Sequence, residues 1–93
     1  MDEDRVTVGV TVAGRVQGVG FRAWTKAEAE TLGLSGRVWN DADGTVGAIL
    51  AGAPRAVQEM VDRLRKGPPS ARVDTVDTQP MQDDPEPGFD VTN

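Results

Sequence analysis

The sequence predicts an α+β chain with a ferredoxin-like βαββαβ order: two helices on one face of a four-stranded antiparallel sheet, with room for a short fifth strand. Three observations predict it. Residues 5 to 13, RVTVGVTVA, alternate strictly, so that Val6, Val8, Val10 and Val12 share one face. Residues 35 to 51 read as two short strands, SGRVWN and TVGAILA, joined by DADG, a turn signal. After Pro54, residues Val57, Met60, Val61 and Leu64 recur at helical spacing until Gly67, Pro68 and Pro69 end the run.

The remaining elements follow in order. From Phe21 to Leu32 the pattern is helical, with Trp24, Ala27 and Thr31 on one stripe. Gly33 supplies a left-handed stop, and Leu34 is placed to pack back on the last turn. ARVDTVD, residues 71 to 77, is a fourth strand; TQPMQDDPEP, 78 to 87, has three prolines and three acids and reads as a loop. Phe89 to Val91 is the candidate fifth strand. A right-handed crossover in the first βαβ unit puts the first and third strands at the sheet centre. One domain over 1–93 is expected, with 1–4 and 92–93 as flexible ends.

Composition narrows the function. The chain has 38% hydrophobic and 27% charged residues and a formal charge of -5, a soluble, slightly lean globular balance. Its acidic start is unlike an export signal and no apolar run approaches a membrane span, so a cytoplasmic location is expected. RNA recognition needs strand aromatics and positive charge; this chain has two Trp, two Phe, no Tyr and an acidic balance. No nucleic-acid or membrane partner is expected, and a monomer is. There is no Cys and no His, which removes thiolate and imidazole chemistry; Ser35 and Ser70 lie in no nucleophile elbow. Catalysis here must draw on Arg, amides, carboxylates or backbone.

GRVQGVGFR, residues 14 to 22, joins the end of a strand to the start of a helix. Backbone N–H groups there lack intrahelical partners, and the helix dipole adds partial positive charge. Glycines let successive amides curl towards a ligand, and such a nest suits a phosphate. Arg22 runs against the dipole, which asks for a reason; a bidentate grip on two anionic oxygens is one. Three readings compete: a Gly-rich connector with solvated arginines, a dinucleotide fingerprint on GVGFRA, and a site for an isolated phosphoryl group. The fingerprint sits poorly on a chain that turns into a hairpin after its second strand.

The stretch from Val12 to Arg22 resembles the acylphosphatase signature V-x-G-x-V-Q-G-V-x-F-R without mismatch. The family's second signature matches at Gly36, Val38, Asn40, Gly44, Val46 and Gly52, and RLRKGPPSARVDTV at 63 to 76 is similar to the family's join between second helix and fourth strand. The resemblance spans about Val6 to Val91. It implies the ferredoxin-like fold, hydrolysis of acyl phosphates to carboxylate and inorganic phosphate, and no cofactor or metal. It further implies that Arg22 binds the phosphate with the amides of Gly14, Arg15, Val16, Gln17, Gly18, Val19 and Gly20, and that Asn40 orients the attacking water. The alternative is a module of the same fold that binds an acyl or carbamoyl phosphate, or docks to a larger enzyme, without hydrolysis.

That chemistry accounts for the missing residues. An acyl phosphate departs as a carboxylate of pKa about 4, so no general acid is needed. Phosphoryl transfer leans on positioning and charge stabilisation, which an arginine and oriented amides supply. Departures from the family pattern remain. Arg37 and Trp39 stand where an aromatic and a basic residue are usual in the reverse order; both lie on one strand face, so a cation–aromatic pair is expected. Gly47 replaces a commonly acidic residue and reads as a surface change. Asp41 places a negative charge beside Asn40. Trp24 and Phe21 are assigned to the core.

Overall fold

The alternating valines fold as expected into a strand, β1 (Val6–Arg15), in a computed structural model that describes residues 4–93. Helix α1 (Phe21–Thr31) follows, then β2 (Ser35–Asn40), β3 (Val46–Gly52), α2 (Pro54–Lys66), β4 (Arg72–Met81) and β5 (Phe89–Val91). The strands lie in the order β4-β1-β3-β2-β5, so β1 and β3 are central among the first four. Those four pair antiparallel; β5 adds to the β2 edge in parallel, Gly36 opposite Phe89, which makes the sheet mixed. Of the ends expected to be flexible, residues 1–3 lie outside the described residues.

The core lies between the helices and one face of the sheet. Val10 and Val12 of β1, Val38 of β2, Val46, Ala48 and Leu50 of β3, and Val76 of β4 are buried there. Helix α2 buries the stripe its spacing predicts, Val57, Met60, Val61 and Leu64. Each such side chain contributes roughly 1.5–3 kcal/mol by leaving water.

Helix α1 departs from expectation. Its buried residues are Phe21, Thr25 and Ala29, while Ala27 and Thr31 are exposed and Trp24 is half-buried. The physical reason is Thr25, whose hydroxyl donates to the Phe21 carbonyl at 2.9 Å and so enters the core without an unpaired group. Phe21 is in the core as expected, and Trp24 packs beside it with ring centroids 5.4 Å apart.

The fourth strand is also longer than its pattern suggests. Residues 78 to 81, read as loop, continue β4, with Val8 opposite Pro80. Strand β4 is an edge that pairs only with β1, so a proline there costs no ladder hydrogen bond on its open side. No described helix is long and apolar enough to cross a membrane.

Candidate active site

Strand β1 and helix α1 leave residues 16–20 between them, and this short segment is the loop that the sequence marks as a candidate anion site. Gly18 and Gly20 take left-handed φ of 77° and 78° with open space around them, so conformation rather than crowding asks for glycine. Gly20 caps α1, its carbonyl accepting from Trp24 N at 3.0 Å, and no side chain competes for the first-turn amides.

Three attachments hold the loop. Val16 is buried in the core. The Gln17 side chain donates to the carbonyls of Asp41 at 2.9 Å and Thr45 at 2.8 Å, bridging the loop to the β2–β3 turn. Ser70 donates its hydroxyl to the Val19 carbonyl at 3.0 Å, tying the far side of the loop to the segment before β4. These tethers use the Gln17 side chain and the Val19 carbonyl and take up no loop amide.

A pocket of about 200 Å³ opens beside the loop, lined by Val16, Gly18, Gly20, Phe21, Arg22, Ala23, Asn40 and Val91. Arg22 and Asn40, distant in sequence, thus share one cavity with the loop. Arg22 Nη1 donates to the Thr92 carbonyl at 3.1 Å and to that of Asn93. Asn93 also brackets the Asn40 backbone: its Oδ1 accepts from Asn40 N at 3.1 Å and its Nδ2 donates to Asn40 O at 3.0 Å. Residues 92 and 93 therefore sit against the Arg22 side chain and the Asn40 backbone.

Asn40 Oδ1 is buried and has no hydrogen-bond partner among the described residues. Buried acceptors are nearly always paired in folded proteins, so an unpaired one on a residue that lines a cavity marks a place for a hydrogen-bond donor. The cavity accordingly combines a guanidinium with loop amides and one acceptor that have no partner among the described residues, a set suited to an anion and a water.

Not every residue of the sequence-derived set lies at the pocket. Gly14 and Arg15 belong to β1, opposite Val73 and Arg72. Gly14 is glycine because a Cβ there would fall 2.2 Å from the Arg72 carbonyl oxygen. Arg15 is exposed on the strand, Gln17 turns its side chain to the β2–β3 turn, and Val19 presents its carbonyl to Ser70. Sequence reasoning missed the anchoring by Ser70, Thr92 and Asn93; these contacts join distant segments and leave no local pattern. A larger groove of about 410 Å³ lies on the uncovered face of the sheet, between Arg37, Trp39, Ile49 and Asp77, and includes neither Arg22 nor Asn40. The smaller cavity carries the convergent polar groups, and chemistry is assigned there on that ground.

The β2–β3 turn beside Asn40 is closely bonded. Asp41 N donates to Thr45 O at 2.9 Å and Gly44 N to Asp41 O at 3.1 Å. Asp43 Oδ1 accepts from the Thr45 hydroxyl at 2.7 Å and Thr45 N at 3.0 Å, bonds that hold its carboxyl below the ordinary 3.8. The expected cation–aromatic pair is present, Arg37 Cζ lying 5.7 Å from the Trp39 ring centroid.

Comparison with known proteins identifies the family. The family model for acylphosphatases matches residues 8–91. An acylphosphatase of Rhizobium etli is 50% identical over 82 residues, covering 88% of this chain and 87% of its own. One of Rhizobium meliloti is 47% identical over 93 residues, covering 99% and 98%. The solved structure of an acylphosphatase from Coxiella burnetii superimposes with a TM-score of 0.91 at 32% identity, over 96% of this chain and 94% of that one.

Proposed function

The chain belongs to the acylphosphatase family and hydrolyses acyl phosphates to carboxylate and inorganic phosphate, and on that premise we propose that Arg22 and the amides of the Val16–Gly20 loop bind the phosphoryl group while Asn40 orients the attacking water. The observation that carries this reading is the buried, unpartnered acceptor of Asn40, a residue that lines one cavity with Arg22. One hydrogen of the water donates to Asn40 Oδ1, which aims a lone pair at phosphorus without placing a second negative charge near the anion.

As the water–phosphorus bond forms, the bond from phosphorus to the acyl oxygen breaks and the electrons leave on the carboxylate. Charge on the equatorial oxygens is met by the Arg22 fork and the loop amides, each charge-assisted hydrogen bond contributing roughly 1.5–3 kcal/mol. The water's proton passes to a phosphate oxygen. With so weakly basic a leaving group, neither a general acid nor a metal is called on, and the same reading has the chain act without cofactor, as a cytoplasmic monomer.

Steady-state hydrolysis of benzoyl phosphate tests the assignment. Arg22→Ala is expected to raise KM and lower kcat together; wild-type turnover in that variant would overturn the reading. Asn40→Ala is expected to lower kcat by roughly 10²-fold while inorganic phosphate still inhibits. Loss of phosphate inhibition with turnover intact would contradict its role.

A further inference from the structure

Strand alternation sends Val38 to the helix-covered face and Arg37 and Trp39 to the uncovered one. Trp39 stands opposite Gly47 in the β2–β3 register. A Cβ on Gly47 would lie 2.5 Å from indole Cε2, so the ring rests on the glycine backbone and excludes any side chain at that position. Gly47, read from the sequence as a surface change, is buried and is instead the seat of Trp39. Arg37 flanks the same ring.

So placed, indole Nε1 donates to Asp41 Oδ1 at 3.0 Å, the shorter of two side-chain contacts to this carboxylate, the Thr45 hydroxyl lying 3.5 Å from Oδ2. Asp41 therefore has two ends doing different things: its carbonyl holds Gln17 and the phosphate loop, while its carboxylate is drawn to the uncovered face. Asp41 adjoins Asn40 in sequence yet does not line the phosphate pocket. A carboxylate one residue from an anion site repels the ligand when it is free to swing towards it.

We propose that Trp39 is a positioning residue that holds the Asp41 carboxylate on the far face of the sheet, keeping its negative charge out of the phosphate pocket. The inference rests on the phosphate-binding reading of that pocket. Arg37, Trp39, Asp41 and Gly47 form one compensated set: Gly47 makes room for the ring, Arg37 flanks it, and the ring restrains the charge.

The test is a double-mutant cycle read by inhibition with inorganic phosphate, by KM for benzoyl phosphate and by thermal melting. Trp39→Phe keeps an aromatic ring, smaller than indole, and deletes the N–H. It is expected to weaken phosphate inhibition and raise KM by roughly three- to tenfold, an effect that shrinks with added salt. Trp39→Phe combined with Asp41→Asn is expected to return both constants to within about twofold of wild type, because the charge is gone; a purely structural defect is not rescued in this way. Trp39→Leu, which also lacks the N–H, serves if the Phe variant does not fold. Unchanged phosphate inhibition in Trp39→Phe, or an equal loss with and without Asp41→Asn, overturns the proposal. Arg22→Ala is the control: if that variant keeps wild-type phosphate inhibition, the pocket reading itself has failed, separately from the role of Trp39.

Discussion

Arg22 and Asn40 line one cavity but are held by opposite means. Arg22 is anchored through its side chain, its guanidinium tied to the carbonyls of Thr92 and Asn93. Asn40 is anchored through its backbone, by the ladder to Val46 and the bracket of Asn93, and its side-chain oxygen stays unpaired. A group that grips an anion is best aimed beforehand by acceptors on its own donors. A group that orients a water must keep its acceptor free. The difference matches the proposed division of the pocket into a half that binds and a half that positions.

Arg22→Lys tests the binding half most severely. Lysine keeps the charge but loses the planar fork, and a loss of roughly 10²-fold or more in kcat/KM is expected, with KM carrying a visible share. A lysine variant within twofold of wild type would show that charge alone suffices there and would erase the contrast with Asn40.

The next effect falls between the halves. Gln17→Ala removes both bonds joining the loop to the turn, and roughly 1–3 kcal/mol of stability is expected to go with the two, although each carbonyl keeps its backbone donor within the turn. Because the clamp touches the loop and the Asn40 turn together, KM should rise and kcat fall in the same variant, measured beside chemical denaturation. Asn93→Ala is milder and more selective: it strips the bracket from the Asn40 backbone and should lower kcat several-fold at nearly constant KM. A change in KM alone would assign Asn93 to the binding half instead.

The smallest effect concerns the turn. The carboxyl of Asp43 is held below its unfolded value by its bonds to Thr45, so its contribution is present above about pH 4 and is lost as pH falls through the lowered folded value. Melting curves across that acid range should show Asp43→Asn converging on wild type at the low end. Stability curves that stay parallel would remove the turn from the account.

How much of this was legible beforehand differs element by element. Helix α2 was legible to the residue, because four large apolar side chains at helical spacing admit one buried face. Helix α1 was not, because alanine and threonine leave the stripe ambiguous until Thr25 finds the Phe21 carbonyl. Strand β4 was cut short by Pro80, whose tolerance depends on an edge position that no local pattern reports. In the site, the loop, Arg22 and Asn40 were marked by two ordered motifs. The roles of Gln17 as a clamp and of Gly14 as a point of close strand approach were not.

The sequence by itself determined the alternation of β1, the stripe of α2 and the hairpin around DADG. Each of these is set by periodicity or by backbone conformation within a few residues. Tertiary structure alone decided that β5 runs parallel on the β2 edge, that Thr92 and Asn93 fold back onto Arg22 and Asn40, that Ser70 ties the loop, and that Trp39 lies on Gly47. Apart from the last, which register decides across the hairpin, those contacts span about fifty to seventy positions along the chain. Periodicity reports only which face of an element turns inward, and which groups then meet across the fold is decided by packing.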